Sequence, residues 1–110
     1  MTDEHIEKIK SAVESADHIP AEKKEEVVAV LTELKPALAE IAHTHAEDAQ
    51  SIRQSVEAAA QEAARKDNRP EHLNTVLDDL KQSVEKFEAS HPELVASVNR
   101  YSTLLSALGF

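Results

Sequence analysis

Residues 70–108 read PEHLNTVLDDLKQSVEKFEASHPELVASVNRYSTLLSAL. Along this stretch Leu73, Leu77, Leu80, Val84, Phe87, His91, Leu94, Val98, Tyr101, Leu105 and Leu108 recur in alternating steps of four and three. That alternation keeps side chains on one face of an α-helix and scatters them over both faces of a strand. Pro92 has no N–H to give and crowds the preceding turn, so the stretch divides there. Ser90 and Glu93 stand three apart around the division, the spacing of a capping box. Two nearly collinear helices are predicted, over 70–89 and 92–108. Val95 and Leu104 widen the second stripe, as in a helix buried on two sides.

Working toward the N-terminus, Lys66-Asp67-Asn68-Arg69-Pro70 reads as a turn. Before it, Val27, Leu31, Leu34, Leu38, Ile41, His45, Asp48 and Ile52 repeat the same alternation. The stripe then shifts by one residue to Val56, Ala59 and Ala63, a stutter. Because the register passes through Pro36, one long helix over 20–66 is predicted, kinked near that proline. Pro20 suits its first turn, and Glu22, Glu25 and Glu26 suit its positive end. Ile6, Ile9, Val13 and Ala16 mark a shorter helix over 3–17, capped by Thr2 or Asp3.

The expected architecture is all-α and a single domain over 1–110: a long antiparallel helical hairpin, coiled-coil in character, with a short N-terminal helix. At 1.5 Å per residue the two arms would be ~70 Å and ~60 Å long. One hairpin buries little on its own. A homodimer is therefore expected, with a three-helix monomer as the alternative. Its interface would use Val27, Leu31, Leu34, Leu38, Ile41, His45, Asp48, Ile52, Leu80, Val84, Phe87, Leu94, Val98, Tyr101, Leu105 and Leu108. His45 and Asp48 would form a polar layer in that seam, fixing register or responding to pH, or else lie simply exposed where the two arms diverge.

Composition narrows the function. The absence of cysteine excludes thiolate zinc sites and cysteine nucleophiles, and a single glycine, Gly109, excludes a glycine-rich phosphate loop. The net charge of −9 comes with no clustered lysine and arginine, since Lys23-Lys24 runs straight into Glu25-Glu26. Nucleic acid and anionic membrane are therefore not expected partners. Met1-Thr2-Asp3-Glu4 begins no apolar run, and no stretch is long and apolar enough to span a bilayer. A cytoplasmic protein is expected.

The C-terminal residues also carry a resemblance. Phe87-Glu88-Ala89-Ser90-His91-Pro92-Glu93-Leu94, then Val98-Asn99-Arg100, Leu104-Leu105 and Leu108-Gly109-Phe110 resemble a small bacterial family, number 4404 among the domains of unknown function. The resemblance covers residues 70–110, is weaker over 1–38, and treats about 39–69 as an extension. It implies a short helical bacterial protein and singles out His91, Pro92, Asn99 and Gly109. It implies no activity.

Two Glu-x-x-His motifs are the sharpest chemical signal. Glu40 with His43, and Glu88 with His91, each place a carboxylate and an imidazole one helical turn apart, the building block of di-metal helical bundles. Glu47 falls on the Glu40 face. With 15 glutamates and six histidines in 110 residues, such spacings also arise by chance. His43 and His45, two apart on a helix, point away from each other. Serines are plentiful, but no strand–turn–helix elbow exists to present one as a nucleophile. The reading is a non-enzymatic interaction or scaffold protein without a cofactor. It would self-associate through its seams and present an acidic arm, about 40–66, to a protein partner. The alternative is a metal-binding bundle using Glu40, His43, Glu47, Glu88 and His91.

Overall fold

The structure, a computed structural model, describes residues 4–65 and 69–108. Thr2 and Asp3, residues 66–68 of the expected turn, and Gly109-Phe110 lie outside it, as do the side chains of Ile6 and Leu108. The chain is all-α: α1 (Glu4–Ser15), α2 (Ala21–Ala42), α3 (Ala46–Ala64), α4 (Pro70–Val84) and α5 (Pro92–Leu108), with a 3-10 turn at Glu85–Phe87. Among the described residues there is no strand.

The single long helix expected over 20–66 is two helices. α2 runs through Pro36 without stopping but ends at Ala42. His45 has left the helical region, at φ −134° and ψ 62°, and its carbonyl accepts from Ala49 to start α3. Residues 43–45 explain the break. They are all exposed, so little apolar burial holds them in a helix. Thr44 and histidine are also indifferent helix formers. Thr44 Oγ1 and His45 Nδ1 share a hydrogen bond of 2.8 Å, a local polar contact of the kind that competes with helical geometry.

Contacts between helices fix their directions. Glu33 meets Arg100 and Glu40 meets His91, so α2 and α5 are antiparallel. Asn74 accepts from Ser106, and Lys86 reaches Asp48, which sets α4 antiparallel to α5 and to α3. The chain reverses at every connection. Its longest dimension is 38 Å and its radius of gyration 13.0 Å, against ~13 Å for a compact chain of this length. The 70 Å hairpin does not form.

The seam residues close on one another within one chain. Val27, Leu31, Leu34, Leu38, Ile41, Ile52, Leu80, Val84, Phe87, Leu94, Val98, Tyr101 and Leu105 all belong to one buried core, with Ile9, Val13 and Ile19 sealing its α1 side. Each large aliphatic side chain contributes about 1.5–3 kcal/mol by leaving water. The open edge that called for a second copy is covered by the chain's own helices.

The middle segment differs most from expectation. Residues 40–66 are expected to form an acidic arm presented to a partner, yet α3 packs against α1, α2, α4 and α5 of its own chain. Ala49, Ile52, Val56, Ala59, Ala60 and Ala63 are fully buried along it. Short side chains let neighbouring helices approach closely, because interaxial distance follows the residues at the contact. Alanine makes α3 narrow enough to touch four helices while keeping one exposed face. Tyr101 of α5 locks onto it, donating a 2.7 Å hydrogen bond to the Val56 carbonyl. Burial pushes the Tyr101 phenol far above its ordinary pKa, so it stays a donor.

At the other end of α3, Glu62 is a buried carboxylate. It accepts from the Arg69 backbone N–H at 2.9 Å and lies 3.5 Å from His72 Nδ1 and 3.6 Å from Arg65 Nη1. These contacts fasten the start of α4 to the end of α3. His18 fixes the α1 connection to the same end, donating from Nε2 to the Ala63 carbonyl.

Candidate interaction groove

α4 stops at Val84, short of the expected Ala89. One 3-10 turn keeps Phe87 in the core, and residues 88–90 turn toward α5. A residue before proline is pushed out of the α region, so His91 cannot continue the helix. Its carbonyl accepts from Leu94 and Val95 to open α5, while Ser90 Oγ bonds its Nδ1 at 3.0 Å. His91 is held half-buried, its ring edge-on to Phe87 at 5.8 Å.

This junction sits against the α2–α3 turn. The His45 ring meets the other side of the cluster, 5.1 Å from Phe87. His45 is exposed rather than in a seam, and Asp48 is half-buried and paired with Lys86 at 2.9 Å. The expected polar layer is absent because the break after Ala42 turns the helix face: Ala49 takes the buried position expected of Asp48.

The five expected metal ligands do not gather. Glu40 Oε1 and His91 Nε2 approach to 3.9 Å. His43 is exposed in the α2–α3 turn, Glu47 exposed at the start of α3 and Glu88 exposed before α5. Among the described residues no three His, Asp or Glu side chains converge on one point. The i, i+3 spacing paired Glu40 with His43 and Glu88 with His91. The fold pairs Glu40 with His91 across two helices instead.

That cross-helix pair lies in a groove between α2 and α5. One part, of about 460 Å³, is lined by Glu33, Pro36, Ala37, Glu40, Glu93, Ala96 and Ser97. The adjoining part, of about 250 Å³, shares Ala37, Glu40 and Glu93 and adds Ser90, His91 and Pro92. Its floor is small side chains and its rims are carboxylates. Glu33 is neutralised by Arg100, whereas Glu40 has His91 near it and its side chain is 70% exposed. A second cleft, of about 550 Å³ between α4 and α5, carries both Asp78 and Lys81, whose charges offset each other. In its lining the Ser102 hydroxyl is buried with no hydrogen-bond partner among the described residues. The α2–α5 groove therefore has the stronger field of one sign.

The fold and groove together define a class: among the described residues, an all-α bundle in which four helices pack on an alanine-rich fifth, grooved on one side. The chain belongs to the family described as Domain of unknown function (DUF4404), whose profile matches residues 31–110. That span includes 39–69, the segment read from the sequence as an extension, and leaves α1 and the first part of α2 outside. No curated protein and no solved structure matches the chain. Among the described residues no helix is long and apolar enough to cross a membrane.

The groove was invisible to sequence reasoning. Pro36, Ala37 and Glu40 lie more than fifty residues from Glu93 and Ala96, and each set alone resembles an ordinary solvated helix face. One signal was available: the proline inside α2. It leaves the Thr32 carbonyl without the N–H that a helix would supply four residues on.

Proposed function

We propose that the chain is a non-enzymatic, cytoplasmic helical interaction module that meets protein partners on its exterior, through the α2–α5 groove. The groove is the observation that carries this reading. Its small-residue floor admits a partner's side chains, and its carboxylate rims give that contact a preferred sign of charge. The seams support no such role, because their residues are already packed in the chain's own core. A second copy is among the partners this reading admits, and it too would meet the outside of the bundle.

Site-specific photo-crosslinking in living cells tests it. A photoreactive residue at exposed Ala96, in the groove, is expected to capture a recurring protein identified by mass spectrometry. The same probe at exposed Thr75 on α4, away from the groove, should not capture it. Equal capture from both positions, or none from either, would contradict the assignment.

A further inference from the structure

Resting on that reading, we infer that the α2–α5 groove takes a basic peptide segment, its lysine or arginine side chains set between Glu40 and Glu93. Charge complementarity selects the occupant. Glu40 on α2 and Glu93 on α5 face one groove from its two walls. Glu33 is cancelled by Arg100, and the positive end of α5 offsets about half a charge. The balance of these groups stays negative, by roughly one and a half charges. The whole chain, at −9, adds a longer-range attraction of the same sign.

Shape selects a chain over an ion. The carboxylates stand on opposite walls and, among the described residues, gather with no third ligand, which suits separate cationic side chains better than one metal. From Glu33 to Glu40 the groove follows seven residues of helix, about 10 Å. That is the length of about three extended residues at ~3.3 Å each. Ala37 and Ala96 leave room for the methylene stem of a lysine or arginine, whose charged head can stay at the rim.

The test is fluorescence anisotropy of the purified protein with a short labelled peptide of alternating lysine and alanine, at low salt. Binding is expected, with no binding of the matching glutamate–alanine peptide. Each exposed ion pair lost should weaken affinity by about two- to fivefold. The double variant Glu40→Gln/Glu93→Gln should therefore lose roughly tenfold. Asp78→Asn/Asp79→Asn removes the same charge from exposed positions on α4 and should change affinity less than about twofold. Equal losses from the two variants would overturn the inference by reducing it to diffuse attraction, and so would failure of the lysine peptide to bind. If that peptide fails while Ala96 still captures a protein, the groove remains an interaction site and only its basic occupant is wrong. If both fail, both readings fall.

Discussion

α3 and α5 are both buried on several sides, but they achieve it differently. α5 fills space: Leu94, Val98, Tyr101 and Leu105 project large side chains into the core. α3 yields space: Ala49, Ala59, Ala60 and Ala63 let four other helices close around it. The first kind of helix contributes through the area it removes from water, the second through the approach it permits. Both are needed, because the leucine-bearing helices reach a common core only if the helix at its centre is thin.

Large-to-small change at α5 should have the largest effect. Tyr101→Ala removes a fully buried ring and its bond to Val56, and should cost about 3–5 kcal/mol by urea denaturation. Small-to-large change at α3 should come next. Ala60→Leu overfills the contact and should cost about 1–3 kcal/mol, while Ala58→Leu, on the exposed face of the same helix, should fall within about 0.5 kcal/mol of the parent. If Ala60→Leu were as harmless as Ala58→Leu, the buried face of α3 would not be closely packed. The reverse order of sensitivity, with α5 tolerant and α3 not, would invert the comparison.

A subtler test lies at the contact between the two helices. Tyr101→Phe keeps the ring and loses the hydroxyl bond, costing about 1 kcal/mol. The parent should also weaken in alkali. Its phenol ionises in the unfolded chain at the ordinary value, about 10, but the folded chain holds the proton to much higher pH. Above that ordinary value the unfolded state loses its proton first, so stability falls as pH rises, and below it the tyrosine adds no pH dependence. Thermal melts from neutral pH to pH 11 should show this loss in the parent and less of it in Tyr101→Phe.

The same contrast explains what the sequence makes legible. α5 announces itself because leucine, valine and tyrosine at steps of three and four leave one reading. Alanine does not, since it is at home on exposed and buried helix faces alike. Spacing places Ala59 and Ala63 in the stripe but leaves buried Ala49 and Ala60 unmarked. The continuous alternation across His45 and Asp48 was misleading for a related reason: spacing carries register, but only apolar burial holds it, and exposed 43–45 have little. Of the site, the sequence marked Glu40 and His91 as chemically interesting. It assigned each the wrong partner, because spacing along one helix says nothing of what a second helix brings alongside.

The central claim is that one chain closes its own core, with a reversal at residues 43–45. Small-angle X-ray scattering of the purified protein tests it most directly. The account predicts a radius of gyration near the 13.0 Å of the folded chain, or a little above it for a hydrated particle. An unbroken arm of about 70 Å would give a rod with a radius of gyration near 20 Å. A value near the latter, with the scattering of an elongated particle, would contradict the reversal and the bundle built on it.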